Sequence, residues 1–468
     1  MNTRIPLNSS PVILLCIALS LSFPAFSEES AQPDPVARAR ALEFEEKRFN
    51  EFPFAIHGFT VTQERKPLFA KTGAKWARAW EGVSDPSSPT YKEWFPRRHN
   101  RLDEWVTVHG ECGAQTMPCV NTGRSRTLPA SRRESWRKGL IEKVERYDGD
   151  GIDDMPGLKI PIKYWQFSNE WTWRWKGSQE DFIELWRISY ECVKQADPEA
   201  KVVLGGMTGI GALALVDGYR GDDFIVYQGK AFGAEELPTI PEFQKQRAFI
   251  EAVLEQAAPY FDVISFHVYG GYQHIPGCVA WLRDKMEALG YSKPIITTEM
   301  GGPFIKGQDA YTEQTHCDAI VKYHAVSLTS GIDVIYWSTL NVLPEWGITY
   351  ANTGLLDRHD KPKPGFYTYK LMVAKLGDMT TAIRVPVESW DTETRIYRFG
   401  TPDGPVYVMW SERIAGRHLE FPVQTAKVRV TDVAGNKAII KTKNGKAIME
   451  LTDSPVFMES IPADSPVP

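Results

Sequence analysis

From residue 52 onward the chain repeats one unit eight times, and that repetition constrains the fold more than any other feature. Strand-like runs occur at 54–61, 74–80, 115–121, 162–167, 201–206, 261–268, 294–299 and 332–338, with helix-like segments between most of them. The segments 131–146, 179–196 and 311–330 place apolar residues at three- and four-residue spacing, the mark of a helix with one buried face. Ser178 and Asp197-Pro198 supply a cap and a stop for the middle one. Eight strand-helix units over roughly 310 residues match a (β/α)8 TIM barrel with insertions, and an open doubly wound sheet is the alternative topology. The stretch 207–260 is too long for one barrel helix, and predicts an excursion that helps wall a cleft.

The pattern changes after about Leu371. Between 381 and 460 come short alternating runs at 394–399, 406–410, 427–433 and 447–451, separated by turn signals at Asp403-Gly404, Gly435-Asn436 and Asn444-Gly445. The expected organisation is an N-terminal segment at 28–52, a barrel at 53–371 and a small C-terminal antiparallel β-sandwich at 372–468.

The first 27 residues carry one charge, Arg4, then an apolar run, then Ala25-Phe-Ser27, the pattern of a cleaved signal peptide. A secreted or periplasmic protein is expected. The apolar run falls short of the roughly 20 residues a membrane span requires, and no other stretch approaches that length. Losing Arg4 makes the mature chain one unit more negative than the full chain's −5, which argues against nucleic acid as a partner. Five cysteines remain once Cys16 leaves with the leader, too few for a disulfide scaffold. Cys112 and Cys119 are near enough in sequence to pair. Nothing in the sequence fixes an oligomeric state.

Chemistry concentrates at two strand ends. Lys163-Tyr-Trp-Gln-Phe-Ser-Asn-Glu-Trp171 reads as a buried fourth strand delivering Asn169 and Glu170, and Lys293-Pro-Ile-Ile-Thr-Thr-Glu299 ends the seventh strand in a second carboxylate. In a barrel these two acids share the C-terminal rim and face each other across its mouth. Two carboxyl groups so placed suit glycoside hydrolysis, in which one protonates the leaving oxygen and the other attacks the anomeric carbon. Arg78, near the end of the second strand, could keep Glu299 ionised, and Tyr269 could donate a hydrogen bond to it. His267 belongs to the same sixth-strand group, with a satisfied core histidine as the structural alternative. Asn169 could bridge to a sugar hydroxyl. Trp337 is the best candidate for a stacking platform, and Trp171, Trp173 and Trp175 could line outer subsites, with Trp80 and Trp346 behind them.

These residues carry a resemblance. The Asn169-Glu170 pair, Thr298-Glu299, Phe266-His-Val-Tyr269 and Arg78 resemble the retaining (β/α)8 glycoside hydrolases of clan A, over the whole barrel. The segment from Gly354-Leu-Leu-Asp357 to Lys363-Pro-Gly-Phe-Tyr367 looks like that clan's exit from strand eight, and the C-terminal β domain is similar to that of the β-xylosidase/iduronidase and glucosylceramidase-like families. The resemblance implies Glu170 as acid/base and Glu299 as nucleophile, a poly- or oligosaccharide substrate, and no metal or cofactor. The chain departs from it in Gln166-Phe-Ser-Asn169, where Trp-Asn or Gly-Asn is commoner.

Three other readings compete. Gly209-Ile-Gly211-Ala-Leu-Ala214 has a dinucleotide-like spacing but lies mid-chain in an exported sequence. His109, Cys112 and Cys119 match no strong zinc pattern. An exported, non-catalytic carbohydrate-binding protein would keep the fold and drop the chemistry.

Overall fold

The computed structural model describes residues 34–57, 61–82, 102–122, 126–220, 225–227, 230–302, 311–341, 353–387, 391–413 and 416–462. The leader expected at 1–27 and the candidate Trp346 lie outside these. The eight expected strands are found at Phe54–Ile56, Trp76–Gly82, Gln115–Asn121, Tyr164–Phe167, Lys201–Met207, Val263–Val268, Ile295–Met300 and Ile335–Trp337. Each pairs in parallel with its chain neighbours, and the eighth closes on the first through Ile335 opposite Phe54. The sheet is a closed barrel, not the open sheet.

Alternation along the strands divides the side chains between two environments. Ala55, Trp76, Met117, Val203, Val263, Ile296, Val334 and Tyr336 form the packed interior. The larger cluster fills the space between strands and helices. Above the inner apolar layer the inward positions turn polar, with Arg78, Gln166, Ser265 and Thr298 all buried. The barrel is therefore plugged at its base and polar toward its C-terminal mouth.

The helix Gln179–Ala196 shows how sequence sets these elements. Ser178 caps it by accepting from the Asp181 amide, and Phe182, Leu185, Trp186, Ser189, Cys192 and Val193 form its buried stripe. The long excursion holds a helix at Ile210–Val216, a hairpin of Ile225–Tyr227 with Lys230–Phe232, and a helix at Pro241–Gln256. Gly209 stands at φ 88°, and a Cβ there would meet Gln246 within 3.0 Å, so turn geometry accounts for that glycine.

Seven antiparallel strands form the C-terminal sheet, in the order Lys47–Arg48, Thr381–Arg384, Thr394–Thr401, Gly404–Ser411, Val456–Ile461, Lys427–Asp432 and Lys437–Lys441. The pair Arg417–Pro422 and Lys446–Leu451 covers one face, burying Phe421, Ala447, Met449 and Leu451 against Ile396, Met409, Val428 and Met458. The edge strand comes from the N-terminal segment. Just before it, Glu43 takes an ion pair from Arg384 at 2.8 Å and a hydrogen bond from Tyr397. Sheet and barrel meet through Tyr272 donating to Glu412 and Lys322 pairing with Asp453. No disulfide joins any of the five described cysteines, Cys112 and Cys119 included.

Candidate active site

Two irregularities in the strands build the site. Thr297 lies opposite Phe266 and Glu299 opposite His267, so Thr298 is an extra residue between them. This bulge lets Glu299 face inward directly after Thr298, where strict alternation would turn it away. The second lies between Leu204 and Met207, where Gly205 and Gly206 stand against the single residue Ser265. Both glycines are required. A Cβ at 205 would fall 1.9 Å from the Ser168 carbonyl oxygen, and one at 206 would fall 1.9 Å from His267 Nε2.

That close approach lets the fourth strand leave the barrel in a sharp path. Ser168 and Glu170 both take left-handed backbone conformations, at φ 60° and 49°. For non-glycine residues these conformations are costly and persist where the surroundings hold them. Here the Ser168 amide donates to the Val120 carbonyl at 2.8 Å and the Asn169 amide to Asn121 Oδ1 at 3.1 Å. The Glu170 amide donates to the Gly206 carbonyl at 3.1 Å.

Arg78, fully buried, ties the two halves together. Its Nη1 donates to Glu299 Oε1 at 2.7 Å, its Nη2 to Asn169 Oδ1 at 2.7 Å, and its Nε to Gln166 Oε1 at 2.7 Å. With Oδ1 committed to Arg78, Asn169 keeps its amide nitrogen as a donor, an assignment made from the network. The other carboxylate oxygen, Glu299 Oε2, accepts from the Tyr269 hydroxyl at 2.7 Å. Behind Tyr269 lie Ser338 Oγ at 3.0 Å and then His57 Nδ1, 3.2 Å from Ser338. His57 Nε2 accepts from Trp80 Nε1 at 3.2 Å and lies 3.3 Å from Arg78 Nη1. Such surroundings require a neutral ring with its proton on Nδ1. Burial and the Arg78 charge agree, holding His57 down at about 3.

Burial alone would raise the Glu299 carboxyl. His267, Arg78 and the Tyr269 hydroxyl outweigh it and hold the group well below its ordinary value. Arg78 is the member of that set charged at every working pH. Glu170 has different neighbours. His267 Nδ1 lies 3.3 Å from its Oε1 and 3.6 Å from Glu299 Oε2, bridging the two acids. Arg174, one helical turn on, pairs with Glu170 Oε2 at 2.8 Å. Oxygens of the two carboxylates come within 4.8 Å of each other, with the His267 nitrogen in the same group.

The structure thus brings Glu170, Glu299, Asn169, Arg78, His267 and Tyr269 together, but not the two leading tryptophans. Trp337 is fully buried, stacked on His324, with its indole donating to the Thr353 carbonyl. Val334 and Tyr336 point into the barrel, so Trp337 points into the helix layer. Trp171 is also buried, donating to the Gly205 carbonyl and packed on Phe182 and Phe249. Neither can stack on a sugar in this arrangement. Trp173 is half exposed, and Trp175 packs on Phe182. Trp80 is part of the site, and His57, Ser338, Gln166 and Cys119 complete it unanticipated. Each sits near the C-terminal end of a strand, which the sequence locates, but its inward direction follows only from the register between strands. His109 bonds Thr116 and is not drawn into a cluster with Cys112 and Cys119.

No family model matches the sequence, and no curated protein matches it closely. Solved structures do. A family 39 glycoside hydrolase from Bacteroides cellulosilyticus WH2 superposes with a TM-score of 0.62 at 13% identity, covering 88% of this chain and 81% of its own. A family 51 α-L-arabinofuranosidase from Thermotoga petrophila RKU-1 gives 0.60 at 11% identity, over 89% and 98%. A family 30 endoxylanase from Clostridium papyrosolvens C71 gives 0.57 at 12% identity, over 89% and 97%. The chain shares the barrel-plus-β-sheet fold of these glycoside hydrolases.

Proposed function

We propose that this protein is an exported glycoside hydrolase acting with retention on a poly- or oligosaccharide, with Glu299 as nucleophile and Glu170 as acid/base. The observation that carries the reading is the approach of the two carboxylates to within 4.8 Å. Retaining enzymes hold theirs about 5 to 5.5 Å apart, whereas inverting enzymes need about 6.5 to 9.5 Å to admit a water.

Electrostatics support the division of roles. Glu299 accepts from Arg78 and Tyr269, an environment that keeps a nucleophile ionised and aimed. Glu170 stands on the other side of the gap, and His267 holds it in position. The Asn169 amide is oriented by Arg78 to donate to a substrate hydroxyl. In the first step the Glu299 carboxylate attacks the anomeric carbon as Glu170 gives its proton to the departing oxygen. In the second, Glu170 takes a proton from a water whose oxygen attacks the anomeric carbon, breaking the bond to Glu299 and releasing the sugar.

The test is the anomeric form of the first-released sugar, followed by NMR early in the reaction. Retention supports the reading, and inversion overturns it.

A further inference from the structure

Arg174 raises a question that the two-step chemistry leaves open. Its guanidinium contacts Glu170 at 2.8 Å and lies over the Trp173 ring at 4.4 Å, with its side chain 31% exposed. In the resting protein the Glu170 carboxylate is its counter-ion. In the productive complex Glu170 must carry a proton, so Arg174 loses that counter-ion while remaining largely covered. A cation about a third exposed that loses its partner is less well stabilised than before, although solvent offsets part of the loss. An anionic group on the substrate fits the vacated place.

We propose that the substrate carries an anionic substituent, a carboxylate or a sulfate, on the leaving-group side of the scissile bond, and that Arg174 binds it. This rests on the reading of Glu170 as acid/base, because the acid stands on the leaving-group side. The surroundings suit an anion. Lys176 is exposed, its amide donates to the Arg126 carbonyl at 3.1 Å, and among the described residues neither side chain has an acidic partner. Of the two acids in the first turn of the helix that follows, Glu180 and Asp181, Asp181 is taken by Arg133 at 2.6 Å. Trp173, 52% exposed, offers an apolar face beside the cation. When Glu170 has given up its proton it becomes the better partner for Arg174 again, and the anionic leaving group is released.

Glu170→Gln tests this, because a neutral amide stands in for the protonated acid and frees Arg174. The probes are uronate-containing and sulfated oligosaccharides, each paired with its carboxyl-reduced or desulfated counterpart. The expected result is that Glu170→Gln binds at least one anionic class at least tenfold tighter than its neutral counterpart. Adding Arg174→Gln should remove that preference, and Arg174→Lys should keep part of it. Circular dichroism of each variant checks the fold. Carboxylate and sulfate arms that respond differently identify the anion. Equal binding of both members of every pair, no binding of any anionic probe, or a preference that survives Arg174→Gln overturns the proposal. Covalent trapping of the wild-type nucleophile is independent of Arg174, so a failure of the glycosidase reading is distinguishable from a failure of this one.

Discussion

Arg78 and Glu299, brought together from the second and seventh barrel strands, form a buried ion pair at 2.7 Å whose cation also fixes Asn169 and Gln166. Removing the arginine leaves a buried carboxylate without its permanent cation. Arg78→Ala should therefore cost about 3 to 5 kcal/mol of stability and roughly a hundredfold or more in kcat/KM. Arg78→Lys should also fail, since one ammonium cannot hold three acceptors in the geometry of a planar fork. Urea unfolding together with steady-state kinetics checks both.

The two glycines of the fifth strand separate backbone from side-chain effects. Gly206→Ala pushes on the His267 ring, which can move, so activity should fall while the fold survives. Gly205→Ala drives into the Ser168 carbonyl, which belongs to the backbone path that delivers Glu170. It should lower stability by about 1 to 3 kcal/mol as well. Thermal unfolding and kcat/KM for the pair would show whether this ordering holds.

Trp171 and Trp337 should behave as core residues. Trp171→Ala and Trp337→Ala should each cost about 3 to 5 kcal/mol. In whatever folded fraction remains, KM should change little. A variant of full stability with a KM raised tenfold would instead mark a sugar platform.

Stability should fall as the solution becomes acidic. Burial holds His57, His109 and His316 down at about 3 and His324 at about 4, far below the roughly 6.5 of an unfolded histidine. The unfolded chain thus binds more protons below about 6.5, and stability is lost as pH drops from there toward 3. The depressed Glu299 carboxyl adds a loss with the same sign below the unfolded value of about 4.3. Urea midpoints measured from pH 7 to pH 4 should decline steadily, and a flat profile would contradict the burial of these rings.

Leaving-group dependence tests Glu170. Glu170→Gln should lose most activity on substrates with poor leaving groups. With an aryl leaving group that departs without a proton, its first step should be close to wild type. Burst kinetics on a series of aryl glycosides would reveal an equal loss across the series if the assignment is wrong.

What the sequence disclosed depended on pattern length. Eight strands separated by amphipathic helices carry enough periodicity to name the barrel, and the acids at the ends of strands four and seven follow from that topology. Strand eight is different. Ile335-Tyr-Trp337 is apolar throughout because a parallel barrel strand is buried on both faces, so the sequence holds no cue that Tyr336 points inward and Trp337 outward. The same loss of parity hid His57 and Ser338, whose roles depend on register across the barrel closure. The bulge that turns Glu299 inward and the Gly205-Gly206 irregularity are relations between strands, which one strand read alone does not contain. A two-residue edge strand at Lys47–Arg48 is too short to leave any pattern.

The central claim is that Glu299 forms a covalent bond to the sugar. Incubating the protein with a panel of 2-fluoro-glycosyl inactivators, then recording intact mass and mapping peptides, tests it most directly. The account predicts a single added glycosyl unit on the peptide containing Glu299, absent from Glu299→Gln. A label on another residue, or hydrolysis by Glu299→Gln at near wild-type turnover, would contradict it.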